Sequence, residues 1–483
     1  EGLIETAMRQ MPSTSTLAKM IHDLIRWTAQ EADWRENRAR LEAEYGYSNF
    51  LGQCPLIPNH GLIILSLLHG RGSFDESMTI VNTSGWDTDC NSGNVGAILG
   101  VRGGLEAFTQ QDWRGPVADR LYVPSAEGGR SITDAGREAL WVANLGRQIN
   151  GLDPISPKKG ARFHFEFAGS VQGWQALEEG SAMVQHDAAR KALRIARTGV
   201  EPARAGAPTF VPPEIKDLKS GYVLVANPTL YPSQVLAARV FAEDQPANGR
   251  LFLERYNEED LSVRIDGPEF RLSPGEETEV TWEIPETDGY PIHRVALEVA
   301  EGEVLLDWMD WKGVPDTEFP TQPGTMTGRM WAKSLDRFEH LRDKYDYLTH
   351  NDGFGLLTQG HRDWRDYRIV CRVTPKMAVA GGIAVRVQGL RRWLAFVFSG
   401  ENQVAIIKEQ NGRKQLATTT FPWEPFTDYD LEVEVKGSLI RAWIDGRLIL
   451  TADDTDSSLT GGAFGFIVEE GCLGAGVPRI SPA

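Results

Sequence analysis

The segment Gly85-Trp86-Asp87-Thr88-Asp89-Cys90-Asn91 holds the side chains best suited to chemistry in this chain. Asp87 and Asp89 stand two residues apart. On a turn that enters a helix, this spacing can aim both carboxylates at one point, and paired carboxylate oxygens suit a hard divalent cation such as Mg²⁺. Taken alone, the spacing is also that of an Asp-rich helix start, where Asp87 or Asp89 accepts from free backbone amides. Gly93, Gly96, Gly100, Gly103 and Gly104 follow. A helix so rich in small residues can lie close against its neighbours.

Asn59-His60 is a second candidate. Asn59 can cap the apolar helix that follows, and His60 can reach a substrate from the first turn. The plainer reading is a cap followed by a satisfied histidine. Nearby Cys54 reads as a small buried hydrophobe. The sequence has no Ser-His-Asp order, P-loop, dinucleotide fingerprint or zinc-ligand spacing.

The elements that must position these groups are helical up to about residue 155. Ser15 caps a helix over Thr16 to Ala29, with Leu17, Met20, Ile21, Leu24 and Ile25 on one stripe. Asp33 caps a second that runs to Tyr45 and stops at Gly46. Asn59 to Leu68 is apolar nearly all round, the pattern of a buried helix. Phe74 to Thr83 precedes the Asp87 turn, and a small-residue helix from Gly93 to Phe108 follows it. The last helix, about Thr133 to Gln148, carries Ala139, Leu140, Val142 and Leu145 as its inward face.

Pro154-Ile-Ser-Pro157-Lys-Lys-Gly160 reads as a linker, and beyond it the hydrophobic period changes to two. Phe163, Phe165 and Phe167 alternate with Arg162, His164 and Glu166. The same alternation recurs at Val280, Trp282 and Ile284, and at Val295, Leu297 and Val299. A second β region shows it at Tyr367 to Val373, Ile383 to Val387 and Tyr429 to Val435. Asp445-Gly446 marks a two-residue hairpin there. The expected architecture is multidomain α plus β: a helical head over 1–158, then antiparallel β-sandwich or jelly-roll domains over 159–320 and 321–483. A length of 483 residues agrees with about three domains.

Composition narrows the partners. A net charge of −17 argues against a nucleic-acid binder and against adhesion to anionic membrane. No apolar run approaches the ~20 residues of a membrane span. Four scattered cysteines exclude a disulfide scaffold but fix no compartment, so cytoplasmic and secreted locations both stand. The first residue is Glu1, and the chain reads as processed or truncated. Half of the 14 tryptophans lie from Trp308 onward. Such rings fill cores or, when exposed, stack on sugars. Asp453, Asp454 and Asp456 form an acidic loop that can take Ca²⁺.

The order of a buried helix, a short amphipathic helix, G-x-D-T-D and a small-residue helix resembles the ADP-ribosylglycohydrolase family. The resemblance covers roughly residues 10 to 150 and is specific from Thr83 to Gly104. Family members carry Gly-Gly-Asp-Thr-Asp-Thr/Ser, whose aspartates and following hydroxyl hold Mg²⁺. The resemblance therefore implies Asp87 and Asp89 as catalytic and metal-binding residues, with Cys90 at the third ligand position. A thiol is a poor partner for that ion. Trp86 replaces the second glycine, which narrows the entrance or offers a sugar a stacking face. With Asn59 and His60 it completes the expected substrate contacts.

The earlier half of the family's domain, with a Gly-Asp segment and a Thr-Asp-Asp run, is not found. It counts as an expected partner. The β regions loosely resemble galactose-binding-like and concanavalin-like modules. Together these resemblances imply a hydrolase acting at an anomeric carbon, on a carbohydrate or glycoside, with an ADP-ribose-like substrate also open. The alternative is a non-catalytic carbohydrate-binding protein with a degenerate or incomplete enzyme domain.

Overall fold

The computed structural model describes residues 2–218, 224–341, 345–455 and 459–483. The chain divides into two compact units, Glu1–Pro116 and Val117–Ala483.

The first unit is helical. It contains α1 (Gly2–Met8), α2 (Thr16–Gln30), α3 (Trp34–Tyr45), α4 (Leu56–His69), α5 (Phe74–Thr83) and α6 (Thr88–Gly103). The caps explain the starts. Ser15 Oγ accepts from the Ala18 amide at 3.2 Å, Asp33 Oδ1 from the Arg35 amide at 2.9 Å, and Ser73 Oγ from the Glu76 amide at 3.2 Å. Helix α4 is the buried one. Leu62 and Leu65 pack with Met20 and Leu24 of α2 and Leu41 of α3, while Ile63 meets Val81 of α5 and Val95 and Leu99 of α6. Two expected boundaries move. Helix α4 starts at Leu56 behind Pro55, so Asn59 lies inside its first turns and is not its cap. Helix α6 starts at Thr88, not Gly93, and a 3₁₀ turn over Gly104–Phe108 follows its end. The acidic pair is thus part of the helix start itself.

The second unit begins with a short antiparallel pair, Arg120–Tyr122 with Ile132–Asp134, and α7 (Ala135–Ile149), which Asp134 caps. Asp119 explains why this segment folds with the β part of the chain. Its Oδ2 accepts from the Ser170 hydroxyl and from the Val171 and Gln172 amides at 2.6, 2.8 and 3.1 Å. The inward face expected on α7 is not buried. Val142 and Leu145 are exposed, Ala139 likewise, and Leu140 is half-buried.

Two five-stranded antiparallel sheets follow. One runs in the order Glu277–Glu283, Val235–Phe241, Glu303–Lys312, Ala192–Arg197, Ala182–Asp187. The other runs Gln175–Ala176, Ala203–Pro208, Ile292–Glu301, Ala247–Tyr256, Ser262–Leu272. Leu193, Val240, Leu251, Val295, Leu297 and Leu306 belong to the core they share. The strand expected through Phe163 to Phe167 is absent. Gln172 Oε1 accepts from both the His164 and Phe165 amides at 2.7 Å, and Phe165 turns to φ +47°. Phe163 alone bridges to Met309, and His164 is buried where alternation puts it outside.

The last region is one continuous antiparallel array whose long strands serve two layers. Tyr367–Gly389 pairs with Tyr429–Lys436 along its first part and with Arg392–Ser399 along its second. Its core includes Ile369, Val373, Ile383, Phe396, Leu431 and Phe466. The hairpin turn at Asp445-Gly446 has φ of +50° and +73°, the backbone that a two-residue primed turn demands. Of the tryptophans from Trp308 onward, Trp311, Trp331, Trp364 and Trp393 are buried and the others half-buried. They are core residues first. The two β regions are tied by Asn227, whose Nδ2 donates to the Met330 and Thr358 carbonyls at 2.8 and 2.9 Å.

Candidate metal centre at the start of helix α6

Asp87 occupies the N-cap position of α6, with φ −85° and ψ 68°, yet its side chain makes no cap hydrogen bond. The carboxylate is free to meet its neighbours. Ligand atoms of Asp87, Asp89 and Cys90 all lie within 4.8 Å of one another. Among the described residues this is the one group of three or more His, Cys, Asp or Glu side chains close enough to share an ion. Asp87 is half-buried, while Asp89 and Cys90 are exposed. The N-terminal end of the helix favours negative charge at this point.

A tight reversal of the backbone presents the pair. Gly85 and Trp86 both sit in the left-handed region, at φ +77° and +61°. That conformation is costly for a bulky residue and needs support from elsewhere. Trp86 receives it from two sides of the fold. The Tyr47 ring stacks on it at 5.1 Å and 22°, and the Arg38 guanidinium lies 3.8 Å from its centroid. Arg38 Nε also donates to the Ser84 carbonyl at 2.9 Å, which closes the turn from behind.

Asn59 joins this support to the acidic pair. Its Nδ2 donates to the Tyr47 hydroxyl at 2.8 Å and to the Pro55 carbonyl at 2.9 Å. Its Oδ1 accepts from the Asp87 amide at 3.3 Å and from Asn91 Nδ2 at 3.0 Å. The side chain is buried. The fold thus brings together Asn59, Trp86, Asp87, Asp89 and Cys90. His60, half-buried beside Asn59, takes no part in this network, and burial lowers its pKa.

Two thiols flank the carboxylates. Cys90 hydrogen-bonds to the Asp87 side chain, and that bond together with the Asp87 charge raises its pKa. Desolvation first, then the charge and hydrogen bond of Asp87, raise the pKa of Cys54. Cys54 is therefore not the buried hydrophobe expected from sequence; it is exposed and feels the charge of the acidic turn. Asp89 moves the other way. A hydrogen bond with the Asp87 carboxyl and the amides of Cys90 and Asp89 hold it below the usual carboxylate range.

The donor set fits a hard cation in part. Asp87 and Asp89 supply the one or two carboxylates by which Mg²⁺ is ordinarily held alongside water. The Cys90 sulfur does not suit that ion. Sequence reading missed Tyr47, Arg38, Asn91 and Cys54 as members of the site. The acidic loop proposed for Ca²⁺ has another use for one of its members: Asp454 Oδ1 pairs with Lys408 Nζ at 2.9 Å, and Asp456 lies outside the described residues.

Residues 1–148 match the family model of the ADP-ribosylglycohydrolases. No curated protein matches the chain. Similar solved structures include the carbohydrate binding module CBM66 from Bacillus subtilis, at 19% identity and TM-score 0.28, which spans 31% of this chain and 94% of that one. The galectin LEC-6 of Caenorhabditis elegans is similar at 14% identity and TM-score 0.22, over 31% and 95% of the two chains. Domain 4 of the arabinanase AbnA from Geobacillus stearothermophilus, solved with arabinotriose, is similar at 11% identity and TM-score 0.25, over 32% and 82%.

Proposed function

We propose that the chain is a hydrolase of the ADP-ribosylglycohydrolase type that cleaves a glycosidic bond at an anomeric carbon of a carbohydrate or glycoside. The observation that carries this reading is the Asp87 carboxylate, which takes the cap position of α6 without capping it and lies with Asp89 at one point. The match over residues 1–148 supports it. Asp87 and Asp89 would hold Mg²⁺, which when bound polarises substrate oxygens. The rest is work for the chain's own residues. Asp87 and Asp89 orient a substrate diol and the attacking water. Asn59 fixes the Asp87 backbone. Trp86 and His60 border the substrate. The remaining family ligands would come from a Thr-Asp-Asp-bearing segment, and modules at 159–320 and 321–483 would hold or frame the glycan.

The test is hydrolysis by the protein that carries this chain, with Mg²⁺ and a panel of aryl glycosides, oligosaccharides and ADP-ribosylated peptide. Asp87→Asn and Asp89→Asn should each cost roughly a hundredfold or more in rate, the scale of losing a charged transition-state partner. Equal rates in wild type and both variants would overturn the proposal. A second reading, a non-catalytic carbohydrate-binding protein, is favoured by one feature: Cys90 places a thiol where a hydroxyl ligand belongs, and its hydrogen bond occupies Asp87. Saccharide binding with no hydrolysis of any member of the panel would select it.

A further inference from the structure

A second site lies in the other unit, far in sequence from the acidic turn. A cleft of about 340 Å³ opens between α7, the segment 160–164 and the loop at 361–363. Arg130, Trp141, Arg162, His164, His361 and Asp363 are among its lining residues. Its size is at the lower end of ligand clefts, which run to about 300–1,000 Å³.

Among the described residues, two donors in the wall of this cleft have no hydrogen-bond partner. His164 is 1% exposed, and its Nδ1 accepts from the Glu166 amide at 3.1 Å. The proton therefore sits on Nε2, which has no partner. Burial lowers the histidine's pKa and keeps the ring neutral. Arg162 Nε is likewise unbonded, 3.9 Å from Asp310 Oδ1. Both atoms are closed to solvent, so they belong to the wall behind the cleft and not to its open surface.

Charge decides what kind of ligand fits. Each guanidinium at the cleft already has a carboxylate. Arg162 pairs with Asp363 at 2.7 Å, Arg130 with Glu138, Arg137 with Asp134 at 2.6 Å, and Arg362 with both oxygens of Glu127 at 2.6 Å. Among the described residues that line the cleft, no guanidinium is left over for a phosphate or a carboxylate. Fixed guanidinium–carboxylate pairs instead present donors and acceptors side by side. That pattern matches vicinal hydroxyls, each of which both accepts and donates. Trp141 adds an apolar edge. It is 38% exposed, with the Arg130 and Arg362 guanidiniums 4.5 and 5.2 Å from its ring. A ring with polar and apolar neighbours of this kind suits the C–H face of a sugar.

We propose that this cleft binds a neutral saccharide, with Trp141 as the apolar contact and the Arg162–Asp363 and Arg130–Glu138 pairs as donors and acceptors to its hydroxyls. The proposal rests on the carbohydrate part of the proposed function and locates it. It is separate from hydrolysis at Asp87.

The full chain is titrated by calorimetry with lactose, cellotetraose, xylotetraose, arabinotriose and a fructan oligosaccharide, and with inorganic phosphate. One or more of the saccharides should bind. Trp141→Ala, at a half-exposed ring, should weaken that binding at least tenfold with the fold kept by circular dichroism. Asp363→Asn, which breaks the Arg162 pair at the cleft, should weaken it too. Three outcomes would overturn the site: no saccharide binding, saccharide binding indifferent to Trp141→Ala, or binding of phosphate alone. Binding that survives while hydrolysis is absent supports the cleft and counts only against the hydrolase.

Discussion

Asn59 Oδ1 accepts the backbone N–H of Asp87 across 28 positions of sequence. This bond fixes the acidic turn to the buried helix α4, and the same side chain reaches Tyr47, Pro55 and Asn91. The carboxylates are exposed or half-exposed, but the frame that holds them is internal. A site built this way keeps its geometry while its ligand atoms stay open to solvent.

Asn59→Ala should therefore injure both stability and the site. It leaves the buried Asn91 amide and the Tyr47 hydroxyl without their partner, and an unmet buried polar group costs about 1–3 kcal/mol. The unfolding free energy read from the helical signal in urea should fall by that amount. Mg²⁺ affinity by calorimetry should fall as well, because the Asp87 backbone is released. Unchanged stability with unchanged affinity would remove Asn59 from the frame.

Cys90→Thr should tighten Mg²⁺ binding. A hydroxyl donates to a hard cation better than a neutral thiol does. We expect a gain of roughly three- to tenfold, at most about 1.4 kcal/mol. Calorimetry of the two proteins at equal ionic strength checks it. An affinity that is unchanged or lower would mean that Cys90 only packs at the turn.

What sequence could reveal here was local. Ser15, Asp33 and the Asp445-Gly446 turn act within a few residues, and each does in the fold what its type suggests. The acidic pair was legible for the same reason. Tyr47, Arg38 and Cys54 were not, because each reaches the site from another part of the chain and no local pattern marks it. Alternation failed at Phe163 to Phe167 because Gln172, a nonlocal partner, captures two amides and turns the chain. On α7 the periodic stripe was real, but a stripe does not say what packs against it. Val142 and Leu145 face out.

The thiols give a reading of the acidic turn that needs no activity. Asp87 raises the pKa of both Cys54 and Cys90, so less thiolate is present at a given pH than for a free cysteine. Asp87→Asn removes the charge, lowers both pKa values and speeds alkylation, since the thiolate is the nucleophile. At neutral pH the rate should rise by roughly a factor of two or more. Mg²⁺ bound at Asp87 should do the same in the wild type. Peptide mass mapping separates these sites from Cys371, which is buried, and Cys472. Labelling rates blind to both changes would break the link between Asp87 and the thiols.

The sandwich should lose stability in acid through two groups on one strand, Ile292–Glu301, in two overlapping windows. His293 is fully buried, with Nε2 2.7 Å from Ser262 Oγ and its ring on Tyr256 at 4.4 Å. Burial, then the charge of Arg294, lowers its pKa from 6.5 to about 3. Between those values the unfolded chain binds a proton that the folded chain refuses, so stability falls as pH drops from 6.5 toward 3. At pH 4 the loss should be about 3 kcal/mol.

Glu298 acts lower. Its hydrogen bond from Arg264, aided by Arg204, brings its pKa from 4.5 to about 2 against the opposing effect of burial. Its contribution is present above 4.5 and is lost as pH falls through about 2. Solvent screening of the partners reduces it to roughly 1–2 kcal/mol. Urea midpoints followed by tryptophan fluorescence across this range test both. His293→Phe should flatten the profile between pH 6.5 and 4.5 and leave the steeper loss below. Glu298→Gln should keep the loss from 6.5 toward 3 and flatten the profile below about 3, with lower stability at neutral pH because Arg264 and Arg204 lose their partner. If both variants kept the wild-type slope in both windows, neither residue would control the acid sensitivity of this sandwich.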